Sequence, residues 1–590
     1  MIDFRNINTV WASVFVETLA QLGLKTAIVC PGSRSTPLTI AFAQHSSIET
    51  IPILDERSAS FFALGIAKKS GIPTALVCTS GTAGANFYPA IIEAKESRVP
   101  LLILTADRPP ELRDCHAGQT IDQVKLYGTY PNWQTELTVP SLDLKLLRYL
   151  RQTLIYAWER SQFPIPGVVH LNIPFRDPLH PVYQSETEDL KAIFPNDFFD
   201  PITPLKSSLF YRFNLSNYLK QWYNYSQGII IAGVAQPQNA EGYCQAIAHL
   251  SQHLNYPVLA EGLSPVRNYS NLNPYLISTY DLILRNPTLA EKLAPQVVIQ
   301  IGDLPTSKTL RNWLEQKQPD YFILDPSYQN LDGLHGKTTH LRIPIEQLSE
   351  EINHQEDTDT LNLTGSQFYC HLWCELEAKL KTVINQEFEA INLLIEPKVA
   401  WLLPQILPQN TPIFIANSMP VRDVEFFWSP NLLNIQPFFN RGANGIDGTL
   451  STALGIAHHQ QSSILLTGDL ALLHDTNGFL IKNKFIGHLT IILINNNGGG
   501  IFEMLPISQF NPPFEDYFAT PQNINFDQLA ATYQIEYEKI LSWEQLKQRL
   551  NSLPDNGIRI LEIPTNRKID AQWRQKHLQQ FANQLNLKIL

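Results

Sequence analysis

Short apolar runs and helical periodicity take turns along most of this chain. In the first third the runs are residues 26–30, 50–54, 74–78, 100–105 and 167–171. Between them apolar positions recur at three- and four-residue intervals, as from Val10 to Leu22 and from Ser58 to Lys69. Runs of that length read as buried strands and the intervals as helices, so the alternation predicts a doubly wound parallel sheet. A Pro- and Asp-rich stretch at 194–204 reads as a linker, after which runs return at 228–232, 296–301 and 321–324. A polar stretch at 350–365 breaks the pattern again, and runs at 412–416, 463–467, 489–494 and 558–563 make a third block. The expectation is an α/β protein of three consecutive doubly wound parallel-sheet domains, at 1–195, 205–350 and 366–590.

Length agrees: 590 residues, 44% of them hydrophobic, are enough for about three or four domains. A formal net charge of −11 argues against a general nucleic-acid or membrane-surface binder. If the ligands are anions, positive charge must be gathered locally, which makes arginines in strand-end loops the ones to follow. The six cysteines form no CxxC pair. Cys370 and Cys374 share a helix face without a partner at zinc spacing, so core packing and a reducing compartment are expected. The N-terminal segment has no basic, apolar leader and no apolar run reaches 18 residues, so a cytoplasmic protein without an integral membrane segment is expected.

The most specific chemistry lies in the third block. Asp469 follows the run at 463–467, and Asn495-Asn496-Asn497-Gly498-Gly499-Gly500 follows the run at 489–494. At neighbouring strand ends, Asp469, Asn496 and the Gly498 carbonyl offer hard oxygen ligands, which suit Mg²⁺, and the glycines let backbone approach a diphosphate. The plainer alternative is two ordinary strand-to-loop transitions. This spacing resembles the Mg²⁺–diphosphate motif of the thiamine-diphosphate enzymes, with Leu470 where many members carry Gly or Ala.

Other strand-end loops carry weaker signals. Residues 30–38, Cys-Pro-Gly-Ser-Arg-Ser-Thr-Pro-Leu, lead into a helix whose N-terminus favours an anion, with Ser33 and Arg34 in the loop. Glu56 opens a helix, where capping or dipole complementarity is the ordinary reading. Arg108 follows the run at 100–105, Gln119 lies in a polar loop, and Asn417, Ser418 and Arg422 follow the run at 412–416. The loop 440–448, Asn-Arg-Gly-Ala-Asn-Gly-Ile-Asp-Gly, contains Arg441 and Ile446.

Five ordered runs, 31–38, 55–59, 105–112, 440–448 and 495–502, span essentially the whole chain and look like the thiamine-diphosphate carboligases of menaquinone and phylloquinone biosynthesis. The resemblance implies three domains of the thiamine-diphosphate decarboxylase type, binding pyrimidine, central and pyrophosphate in chain order. It implies a transferase that decarboxylates 2-oxoglutarate and adds the succinic-semialdehyde carbanion to isochorismate. The products are 2-succinyl-5-enolpyruvyl-6-hydroxy-3-cyclohexene-1-carboxylate and CO₂.

Carried over by position, it makes Glu56 the residue that activates the cofactor through its aminopyrimidine ring and Ile446 the wedge that bends the cofactor. Asp469, Asn496 and Gly498 become ligands of Mg²⁺, with Mn²⁺ as the alternative ion. Ser33, Arg34, Arg108, Gln119, Asn417, Ser418, Arg422 and Arg441 become substrate contacts, and Ile501, Phe502 and Leu505 an apolar wall. A homodimer or homotetramer with sites shared between subunits is implied as well. The charge arithmetic agrees, since both substrates are dicarboxylates and Arg takes a carboxylate bidentately.

Two departures stand out. The loop at 303–310 has only Lys308 where the family segment carries a basic pair, and Gly118 stands where some relatives have Asn. The competing readings are another thiamine-diphosphate enzyme, such as an acetolactate-synthase-like ligase or simple 2-oxo-acid decarboxylase, and a non-catalytic α/β module.

Overall fold

The structure, a computed structural model, describes residues 2–203, 214–353 and 364–585. The chain divides into two compact units, one of Met1–Leu209, Asn440–Gln461 and Ala471–Leu489, the other of Phe210–Phe439, Ser462–Leu470 and Thr490–Leu590.

The first unit is built on six strands: β1 (Thr26–Val29), β2 (Glu49–Pro52), β3 (Thr74–Cys78), β4 (Leu101–Asp107), β5 (Trp133–Glu136) and β6 (Val168–Pro174). They lie in the order β2-β1-β3-β4-β6-β5, all pairings parallel. Strands β1, β3, β4 and β6 are buried throughout, as a sheet covered by helices on both faces requires. Helix Ile7–Leu22 shows how local chemistry sets an element's limits. Asn6 and Thr9 form a reciprocal capping box at its start, and Gly23 ends it at φ 112°. Its Trp11, Phe15 and Leu19 enter the core with Val77, Leu104 and Leu171 of the sheet. Strand order reverses between β1 and β3, so the loops after those two strands flank a crevice at the sheet's carboxyl edge.

The second unit holds two further sheets. In the central one, β7 (Gly228–Ala232), β8 (Val258–Ala260), β9 (Leu276–Ile277), β10 (Val297–Ile301), β11 (Asp320–Leu324) and β12 (Lys337–Leu341) run in the order β12-β11-β10-β7-β8-β9. Order reverses between β7 and β10, and a backbone bridge spans the reversal. Val234 and Asp303 pair backbone to backbone across it, at 3.1 and 3.0 Å. The third sheet orders β13 (Ile413–Ile415), β14 (Pro437–Phe438), β15 (Gln460–Gly468), β16 (Gly487–Asn495), β17 (Glu536–Lys539) and β18 (Gly557–Pro564) as β14-β13-β15-β16-β18-β17. Its reversal lies between β13 and β15. One core runs from Ile229 and Val298 through Trp373, Leu380 and Phe388 of helix Thr364–Ala390 to Ile413 and Ile464.

Three parallel six-stranded sheets with intervening helices match the expected fold class, with differences at the edges. β5, β12 and β17 were not anticipated because edge strands are half exposed and read as polar. β8, β9 and β14 are only two or three residues long. β2 ends at Pro52, so Leu54 is not in the strand and is 67% exposed. The expected linker at 194–204 is partly packed: Phe198 is buried, with the Arg151 guanidinium 4.9 Å from its ring centre. Its last residue, Pro204, and most of the expected polar boundary at 350–365 lie outside the described residues.

Candidate active site

In the first unit the carboxyl edge gathers four of the expected residues. Arg34 is buried in the loop after β1. Its Nη1 donates to the Phe175 carbonyl at 2.9 Å and its backbone N–H to Thr79 Oγ1 at 3.3 Å. Its Nε is buried with no acceptor. Burial and the neighbouring Arg108 charge hold the Arg34 guanidinium below its usual value. Arg108, directly after β4, donates to Ser80 Oγ and to the Gly118 carbonyl, both at 3.0 Å. Gln119 Nε2 donates to the Ser80 carbonyl at 2.9 Å, from a residue at φ 58°. Ser33 is exposed, its carbonyl accepting from Thr36 N at 3.0 Å. The edge thus presents two guanidiniums whose remaining N–H groups suit a carboxylate.

Glu56 is the first residue of helix Glu56–Ser70, behind Asp55, whose side chain caps Ser58 N at 3.1 Å. It is half-buried beside Cys30 and Cys78, at the ends of β1 and β3; burial, aided by the Glu56 charge, pushes both thiols up. The helix start is held from the segment 471–489. Asp475 accepts from Ser451 N at 2.7 Å and from the hydroxyls of Ser451 and Ser58, and Asn477 donates to Asp55 at 2.6 Å. Burial raises Asp475 to about 6. The loop carrying Arg441 and Ile446, both half-buried, is clamped by Glu93. That carboxylate accepts from Gly442 N at 3.1 Å and Ala443 N at 2.7 Å and faces the buried Lys68 at 3.6 Å. A cleft of about 180 Å³ opens between Phe61, Ile92, Glu93 and Asp447.

In the second unit the edge of the third sheet brings together Asp469, Asn496 and Gly498. Asp469 follows β15 and is buried; its Oδ2 accepts from Gly498 N at 2.8 Å. Burial raises its carboxyl to about 6. Asn496, just past β16, gives its NH₂ to Glu396, while its Oδ1 is buried without a donor. Gly498 stands at φ 138°, where a Cβ would lie 2.4 Å from the Ala519 carbonyl, so only Gly fits. Its carbonyl accepts from Gly500 N at 2.9 Å and has a second lone pair to offer. A carboxylate, an amide oxygen lacking a partner and a carbonyl are the ligand types a hard divalent cation takes, so these residues fit Mg²⁺.

Nearby, Asn417 is buried and Ser418 holds φ 74°, an uncommon conformation for a residue with a side chain. Arg422 Nη1 donates back to the Ser418 carbonyl at 2.6 Å. Ile501 and Phe502 are half-buried and Leu505 is exposed, with Phe502 packed edge-on against Phe518.

Several supporting groups escaped the sequence reading: Glu93, Asp475, Glu396 and Arg574. None belongs to a motif. Glu93 and Glu396 are marked only by a charge set among apolar neighbours, as in Ile91-Ile92-Glu93-Ala94 and Leu394-Ile395-Glu396, and Asp475 and Arg574 lack even that. Glu49, His458 and His459 are the one cluster of metal-type side chains of this kind among the described residues. Its geometry is that of a hydrogen-bonded group. His458 Nδ1 accepts from Ile486 N at 3.3 Å, so the neutral ring carries its proton on Nε2 and donates to Glu49 at 3.1 Å. No lone pair remains on that ring for a metal.

Comparison with known proteins bears on both units. Residues 10–126 match the family model described as thiamine pyrophosphate enzyme, N-terminal TPP binding domain. Residues 212–415 match that described as middle domain of thiamine pyrophosphate. The chain is 65% identical to a 2-succinyl-5-enolpyruvyl-6-hydroxy-3-cyclohexene-1-carboxylate synthase of Gloeothece citriformis (strain PCC 7424), over 98% of this chain and 99% of that one. It is 64% identical to the synthase so named of Trichodesmium erythraeum (strain IMS101), over 99% and 100%. With that of Acaryochloris marina (strain MBIC 11017) the identity is 60%, over 97% and 98%.

Proposed function

The chain belongs to the family of 2-succinyl-5-enolpyruvyl-6-hydroxy-3-cyclohexene-1-carboxylate synthases, and from that premise we infer how its own residues carry the reaction. It is a thiamine-diphosphate-dependent transferase that decarboxylates 2-oxoglutarate and joins the remaining four-carbon unit to isochorismate, in menaquinone or phylloquinone biosynthesis. When bound, the cofactor supplies the carbon nucleophile and electron sink that such chemistry needs.

Glu56 would hydrogen-bond the aminopyrimidine ring and so activate the cofactor, and Ile446 would pack against it as the apolar wedge. Asp469, Asn496 Oδ1 and the Gly498 carbonyl would hold Mg²⁺, or Mn²⁺ in its place, and the ion would supply positive charge for the cofactor's diphosphate. Arg34 and Arg108, with Ser33 and Gln119, bind carboxylates at the edge of the first sheet. Arg422, Arg441, Asn417 and Ser418 serve the same anions, and Ile501, Phe502 and Leu505 keep water from the reacting carbon. The domains are 1–195 for the pyrimidine, 205–350 in the centre and 366–590 for the pyrophosphate and metal.

The observation that carries this reading is the pairing of a buried carboxylate, Asp469, with a buried acceptor that has no donor, Asn496 Oδ1. Protein interiors rarely leave such an atom unsatisfied, and a bound cation satisfies it. The test is an assay of 2-oxoglutarate with and without isochorismate, thiamine diphosphate and Mg²⁺, read by product mass. Dependence on all four is expected; a product formed from pyruvate in place of 2-oxoglutarate overturns the substrate assignment.

A homodimer or homotetramer is the working form, the Glu56 region of one subunit serving the Asp469 region of another. No described helix is long and apolar enough to cross a membrane. Together with six free cysteines, this supports a cytoplasmic location.

A further inference from the structure

Of the three metal ligands assigned above, only the Asn496 side chain can present the wrong atom. Rotation of its amide by 180° exchanges an oxygen for an NH₂. Glu396, the first residue of helix Glu396–Ile406, stands behind that amide and is 1% exposed. Its Oε1 accepts from Asn496 Nδ2, and its Oε2 accepts from Arg574 Nη2. Arg574, equally buried, is fixed on its other side by Asp423, through Nε at 2.8 Å and Nη2 at 2.6 Å. The Glu396 backbone N–H donates to Asp570 at 3.3 Å, which ties the helix start to the same group.

A carboxylate accepts hydrogen bonds and has none to give. Whatever faces Glu396 Oε1 must therefore be a donor, and the Asn496 oxygen is left pointing the other way, unpaired. We propose that Glu396 is a positioning residue, held by Arg574, that locks the Asn496 amide with its oxygen toward the metal and its NH₂ toward the protein. The inference rests on the metal site assigned above and adds the group that selects its third oxygen.

Glu396→Gln tests it. Arg574 can only donate, so it takes the carbonyl of the substituted side chain and leaves the new NH₂ facing Asn496. Asn496 must then turn its oxygen inward and show NH₂ to the cation. Groups that orient a ligand typically cost 10–100-fold in metal affinity when changed, so a loss of about that size is expected. The readout is Mn²⁺ binding to the full-length protein by electron paramagnetic resonance, in the presence of thiamine diphosphate, together with thermal unfolding. In the double variant Glu396→Gln/Asn496→Asp, residue 496 has oxygen on both faces and the summed charge of 396 and 496 is unchanged, so binding should return to within a few-fold of the parent.

If the parent protein binds no Mn²⁺, the metal assignment itself fails. If the parent binds and Glu396→Gln binds equally well, the positioning role is overturned. It is also overturned if the double variant stays weak, or if Glu396→Gln does not fold with Mn²⁺ and cofactor present, because Glu396 then serves only to hold the core together.

Discussion

Burial and metal binding make opposite demands on a carboxylate, and Asp469 meets both. Its raised value, about 6, means that the metal-free protein keeps a proton there up to that pH. Without metal, the folded form holds the proton more tightly than the unfolded chain, whose Asp titrates near 4. The resulting stability, about 3 kcal/mol at most, is present below pH ~4 and lost as pH rises through 6. Metal affinity runs the other way, because a proton competes for the ligand. At subsaturating Mg²⁺, thiamine-diphosphate affinity should hold above pH ~6 and fall by up to about tenfold per unit below it, as titration calorimetry across pH 5–8 would read. Asp469→Ala should abolish metal-dependent cofactor retention, and unchanged affinity would remove Asp469 from the site. Glu56→Gln should keep cofactor binding yet lose at least about a hundredfold in kcat, the scale of a positioned proton donor; a near-parental rate would reject the role. At this scale the oxygen ligands were legible because Asp469, Asn496 and Gly498 sit within a few residues of two recognisable strands. Glu396 was not, because its partners Asn496 and Arg574 lie 100 and 178 positions away.

Elements become legible in proportion to their burial. β3, β7 and β10 are buried throughout and mostly apolar, and were visible as runs, whereas β12 alternates exposed and half-buried positions and gave no such signal. Helix packing is less visible still. Helix Glu56–Ser70 meets helix Thr449–Ala457 through two glycines. A Cβ at Gly65 would lie 2.2 Å from the Thr452 carbonyl, and one at Gly455 would lie 2.1 Å from the Phe62 carbonyl. Backbone cannot yield as a side chain does, so Gly65→Ala must push the helices apart. We expect a loss of about 1–3 kcal/mol, seen as a lower urea midpoint at unchanged slope. Turnover should drop with it, because Glu56 heads the same helix. An unchanged midpoint would mean that the two helices are free to separate.

At the scale of the whole molecule, the proposed sharing of sites between subunits has a direct consequence. Co-expressed Glu56→Gln and Asp469→Ala chains, each inactive alone, should yield mixed oligomers with some sites carrying both native residues. Random pairing of dimers makes about a quarter of all sites intact, and assay of the mixture should approach that fraction of parental activity. Absence of recovery in a verified hybrid would mean that each chain completes its own site. Three α/β blocks, an acid at one helix start, oxygen ligands at two strand ends and arginines in strand-end loops were all determined by the sequence itself. Each is a property of a short segment, set by residue type, periodicity and the geometry of a turn. Tertiary structure alone decided that Phe175 holds Arg34, that Glu93 clamps the loop of Arg441, that Val234 and Asp303 bridge the central switch point, and which atom Asn496 turns outward. Those outcomes depend on hydrogen-bond partners far away in the chain, and no local pattern encodes a partner that only folding brings near.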